Sequence, residues 1–86
     1  MTEEDYIFIR NLELENQNIL RRVSDIDGKF NPKEVQLLHE DIEKILDKLV
    51  NVIKNRVVKS NRALILLEIM KRGYIDILVG LDELID

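Results

Sequence analysis

Apolar residues recur at alternating spacings of three and four through three stretches of the chain, the pattern of a helix with one buried face. The middle stretch is the clearest. Val35, Leu38, Ile42, Ile45, Leu49 and Val52 form its seam, and Leu46 and Ile53 widen the stripe. Asn31 stands where an N-cap belongs, Pro32 takes the first helical position, where its missing N–H costs nothing, and Glu34 is placed to reach back as a capping-box partner. Phe30 and Val35 would close a hydrophobic staple. The spacing predicts a helix from 32 to about 56, on the order of 36 Å long.

The first stretch has Ile9, Leu12, Asn16, Ile19, Val23 and Ile26 on its seam, with Thr2 as a cap and Asp5 three residues on. Gly28, after Asp27, is expected to end it by taking the left-handed conformation. A hairpin competes over residues 6–15, where Tyr6-Ile7-Phe8-Ile9 and Leu12-Glu13-Leu14-Glu15 suit strands. Arg10-Asn11 is a poor two-residue turn because neither position is glycine, so the helix is preferred. Asn16, the polar member of the seam, either fixes register as buried asparagines do in coiled coils or marks a broken turn.

The third stretch begins near Ser60, a candidate N-cap, and sets Ala63, Leu67, Met70, Tyr74, Ile77, Leu81 and Leu84 on one seam, flanked by Leu64, Leu78 and Ile85. Lys71-Arg72-Gly73 reads as a C-terminal turn, so this helix is either continuous with a kink or split at Gly73. Short connections near 28–31 and 57–60 make neighbouring helices antiparallel. The predicted fold is a single all-α domain over residues 1–86, an antiparallel three-helix bundle completed by a partner chain.

Composition agrees with one small unit. Eighty-six residues, 45% hydrophobic and 35% charged, suit a globular domain with one core. The absence of cysteine excludes a disulfide framework, a thiolate zinc site and a thiol nucleophile, and makes a reducing, cytoplasmic setting the default. The acidic start at Thr2, Glu3, Glu4 and Asp5 lacks the positive charge of a secretory leader. The greasiest stretch, 63–70, already contains Glu68 and runs into Lys71 and Arg72, too short for a membrane span of about 20 apolar residues.

Catalytic chemistry finds few residues to work with. His39 is the single histidine and Ser24 and Ser60 are the only serines, so a Ser-His-carboxylate set has almost no members to draw on. A histidine bonded to Glu43, four residues on, is the simpler reading. The di-metal bundle motif fails because Gln36 stands three before His39, and a zinc spacing fails for want of a second histidine. Asp25-x-Asp27-Gly28 resembles part of a calcium loop, yet its twelfth position is Gln36. No enzyme, cofactor, metal or small-molecule substrate is indicated, and Glu40 with Glu43, or Asp82 with Glu83, read as solvated faces.

Two features point instead to partners. The net charge of −4 is unevenly spread: no acid stands between Asp47 and Glu68, where Lys48, Lys54, Arg56, Lys59 and Arg62 are all basic, whereas residues 1–27 hold seven acids against three bases. The run either neutralises a helix C-terminus and attracts the acidic first helix, or contacts phosphate or an acidic partner, as a nucleic-acid-associated regulator would. The second feature is apolar excess. The third helix carries apolar side chains on every side, more than a rim helix of a bundle needs, and the first helix does the same at its start. Leu66, Ile69, Ile75 and Val79, off the core seam, are the expected docking residues, and Gly73 and Gly80, seven apart, would admit a close approach. The expected function is that of a non-enzymatic interaction module, a homodimer or an accessory subunit docking on a larger protein through its C-terminal helix.

Overall fold

The computed structural model describes residues 2–85 and consists of three helices: α1 (Glu3–Gly28), α2 (Pro32–Lys54) and α3 (Asn61–Ile85), with no strand among the described residues. Residues 6–15 are helical, which rules out the hairpin, and α3 runs through Gly73 as one α-helix. Neither Gly73 nor Gly80 takes a positive φ. Two glycines cost such a helix about 1 kcal/mol each in propensity, too little to break it while Ala63, Leu67, Tyr74 and Leu81 anchor it on both sides.

The caps explain where each helix starts. The Asp5 amide donates to Thr2 Oγ1 at 3.1 Å, the Lys33 and Glu34 amides donate to Asn31 Oδ1 at 3.0 and 3.4 Å, and the Ala63 amide donates to Ser60 Oγ at 3.4 Å. All three predicted N-caps therefore act. The staple is looser than expected: Val35 is fully buried, but Phe30 is 55% exposed.

The C-terminal signals are redistributed. Gly28 is the last residue of α1 with no positive φ, and the Lys29 amide simply continues the helical ladder to the Asp25 carbonyl at 2.9 Å. The left-handed residue is Arg56, at φ 49°, two residues past the end of α2. There the Val57 amide donates to the Val52 carbonyl at 3.1 Å and the Arg56 amide to Ile53 at 3.3 Å. These two bonds are those of a Schellman motif, built on arginine where glycine is usual. The turn drops Val58 into the core, a buried position that lies outside every helical seam.

Contacts between helices set the directions. Asp5 at the start of α1 meets Lys59 and Ser60 beyond the end of α2, while His39 early in α2 meets Asp82 late in α3. Each consecutive pair is thus antiparallel, and α1 and α3 start at the same end. The core is formed by Ile9, Leu12, Ile19, Val35, Leu38, Ile42, Leu49, Leu67, Tyr74 and their neighbours, the seams read from the spacing. Asn16, at its seam position, is half-buried. α2 packs closely along α3, whereas α1 meets the pair more sparsely. The result measures 41 × 20 × 15 Å.

Candidate interaction surface

Helical spacing places Arg62, Ile65, Ile69, Arg72, Asp76, Val79 and Glu83 in a second three-four seam on α3, about half a turn from the core seam. Every member is exposed. Ile65 and Ile69 are each 60% exposed and Val79 is 56% exposed, with Ile75 beside them at 41%. Of the expected docking residues, Ile69, Ile75 and Val79 therefore lie open, while Leu66 is half-buried against the core and forms only a flank. Gly73 and Gly80 are exposed, and among the described residues no atom of another element stands within 4 Å of where a Cβ would be. Ile65 was not among the expected docking residues; its place in the outward heptad was the signal.

A second apolar feature borders the Gly80 edge of this face. Leu20, Val23 and Phe30 from α1 and the turn after it face Ile77, Leu81 and Leu84 across an open groove of about 680 Å³. Leu84, placed on the core seam by spacing, is 49% exposed here, and Ile85 is also exposed. Periodicity registers which way a residue faces, but it carries no information on how closely the neighbouring helix approaches.

No family model, curated protein or solved structure matches this chain.

The basic residues are divided. Lys48 faces α1, its Nζ 3.8 Å from Glu15 Oε1. Lys54, Arg56, Lys59 and Arg62 gather around the α2–α3 turn and are exposed. The start of α1, with Glu3, Glu4 and Asp5, lies at the same end, and Asp5 is drawn into the turn itself. Its carboxylate accepts from the Lys59 amide at 3.2 Å and from the Ser60 amide at 2.9 Å. Burial alone would raise the Asp5 carboxyl, but the Ser60 and Lys59 amides and the bond with Thr2 outweigh it and hold the group below its ordinary value. The turn thus meets the acidic first helix through the Lys59 and Ser60 amides, and of the run's side chains Lys48 reaches α1, at Glu15.

His39 bridges two helices. Nδ1 lies 2.5 Å from Glu43 Oε1 and Nε2 lies 2.7 Å from Asp82 Oδ1. The Glu43 partner follows from the i, i+4 spacing; Asp82, forty-three residues away, does not. Both ring nitrogens are engaged by carboxylates, an arrangement that ties α2 to α3. Arg22 and Asp41, at 2.8 Å, tie α1 to α2 in the same way. Among the described residues no group of three or more histidine, cysteine, aspartate or glutamate side chains is arranged to hold a metal, and no helix is long and apolar enough to cross a membrane.

One buried group is unpartnered. Tyr74 is 1% exposed at the centre of α3, and its hydroxyl has no hydrogen-bond partner among the described residues. Burial, with a smaller contribution from the Glu15 charge, pushes its pKa up to about 12.

Proposed function

We propose that this chain is a non-enzymatic helical interaction module that docks on another protein through the outward face of α3. The observation that carries the reading is the exposure of Ile65, Ile69, Ile75 and Val79 on a face that none of the chain's own helices covers. A branched apolar side chain left in water forgoes about 1.5–3 kcal/mol of burial, and several on one face supply the apolar centre of an interface once a partner covers them.

Native mass spectrometry of the chain isolated from its own cells tests this, compared with Ile69→Ala and Val79→Ala. A bound protein is expected, and each truncation at a well-packed anchor should weaken the complex by about 2 kcal/mol. Recovery as a lone monomer at every concentration sinks the proposal. A nucleic-acid role for Lys54, Arg56, Lys59 and Arg62 is the weaker reading. Glu3, Glu4 and Asp5 share their end of the bundle and oppose a polyanion.

A further inference from the structure

Charges on the outward face of α3 are segregated by sign. Arg62 and Arg72 stand in its first half and Asp76 and Glu83 in its second, with Ile65 and Ile69 before the centre and Val79 after it. None of these four charged side chains forms an ion pair among the described residues. Glu68 and Lys71, by contrast, satisfy each other at 3.3 Å. A face with cations toward one end and anions toward the other is complementary to itself turned through a half-rotation. Self-complementarity of this kind is the requirement of a two-fold interface.

We propose that the partner on this face is a second copy of the chain, its α3 packed antiparallel across the two-fold axis at the level of residue 74. The proposal rests on the docking reading above and names its occupant. Counting along the heptad in this register sets Arg72 opposite Asp76 of the second copy, and Asp76 opposite its Arg72. Ile69 then meets Val79 of the second copy. Ile65 lies level with Glu83 of the second copy, which comes within a turn of Arg62. On one flank Leu66 falls near Gly80 of the second copy and Gly73 near its own equivalent, where side chains are small and the space is open. The opposite flank brings Ile75 near Ile75 and, in the same register, Glu68 near Asp82 of the second copy, two acids already engaged by Lys71 and His39 of their own chains. A parallel pair in register would set Arg72 on Arg72 and Asp76 on Asp76, with like charges repelling in both layers. Orientation is therefore decided by charge, and the apolar layers supply the attraction. Among the described residues α2 borders this face at Ile53 and Arg56 and α1 borders it across the open groove at Gly80, while Ile65, Ile69 and Val79 stay open to an approaching helix. The polar central layer and single-helix width place the dimer at the weaker end of specific interfaces.

Sedimentation equilibrium over a concentration series, with charge variants, tests it. Wild type is expected to dimerise reversibly. Arg72→Asp alone and Asp76→Arg alone should each weaken the dimer by about tenfold or more, because each puts like charges together at two equivalent places. Mixing the two variants in equal amounts should restore association as a heterodimer, since both facing pairs then attract. The double variant Arg72→Asp/Asp76→Arg should associate like wild type. Circular dichroism checks that each variant keeps its helices, as expected for exposed positions. Because the chain contains no cysteine, orientation is read independently. Ile69→Cys mixed with Val79→Cys should cross-link between the two variants, while Ile69→Cys alone should not. A monomer at all concentrations overturns the proposal. So does a dimer indifferent to both charge reversals, or one that cross-links through Ile69→Cys alone. A purified chain that is monomeric alone yet emerges from its own cells bound to a different protein excludes the second copy while leaving the docking reading standing. A monomer in both settings removes both.

Discussion

Tyr74 combines the largest fully buried side chain of the core with its least satisfied atom. The ring fills space between α3 and its neighbours, but the hydroxyl is buried without a partner among the described residues, a desolvation cost of about 1–3 kcal/mol. Tyr74→Phe keeps the ring and removes that atom. Chemical denaturation at neutral pH should find the variant as stable as wild type or more stable by about 1 kcal/mol. Above pH 10 the gap should widen. The folded pKa of about 12 lies above the ordinary value of 10.0, so the unfolded chain ionises first and stability falls as pH rises between these values. Phenylalanine has no proton to lose there. A large loss of stability in the variant at neutral pH would mean that the hydroxyl has a partner after all.

The elements are defined more sharply at their beginnings than at their ends. Thr2, Asn31 and Ser60 were legible as caps because a short side-chain oxygen ahead of an apolar seam satisfies amides that the helix leaves unpaired. The ends depended on which residue the tertiary structure forces to turn. Gly28 could have adopted the left-handed region and did not, because α1 runs straight into an extended Lys29. Arg56 adopts it because Val58 must reach the core and Ser60 must cap α3 within a few residues. An arginine held there costs roughly 1 kcal/mol relative to glycine. Arg56→Gly should therefore stabilise the fold by about that amount, seen as a rise in the denaturation midpoint with an unchanged slope. Loss of stability would show that the Arg56 side chain contributes more than its backbone strain costs.

At the scale of the whole molecule, α1 is the loosest part. It packs more sparsely than α2 and α3 do on each other, and the open groove separates its second half from α3. Its amino end is clasped by Asp5, which links Thr2, Lys59 and Ser60. Native-state hydrogen exchange should find amides of α1 less protected than those at the centre of α2 and α3, and Asp5→Asn should lower protection in α1 further. The Asp5 carboxyl titrates below its ordinary 3.8 in the folded chain, so its contribution is present above that value and is lost as pH falls through the folded pKa. The stability difference between wild type and Asp5→Asn should accordingly be full at neutral pH and shrink on acidification below 3.8. A difference that stays constant with pH would show that the carboxylate charge plays no part.

The local grammar of the chain left open a hairpin over residues 6–15 and a split at Gly73, both settled by the structure, but determined the helical class, the caps, the buried seams and the antiparallel order. These follow from side-chain spacing and from backbone amides at helix starts, and both are properties of residues close in sequence. Exposure of Ile69, Ile75 and Val79 was legible for the same reason, because a helix of fixed period cannot turn every apolar residue toward one core. Only the tertiary structure decided that Asp5 would enter the turn before α3, that His39 would find Asp82, that Val58 would be buried and that Leu84 would not. Each of these depends on the distance between helices far apart in sequence, which side-chain packing sets and periodicity does not encode.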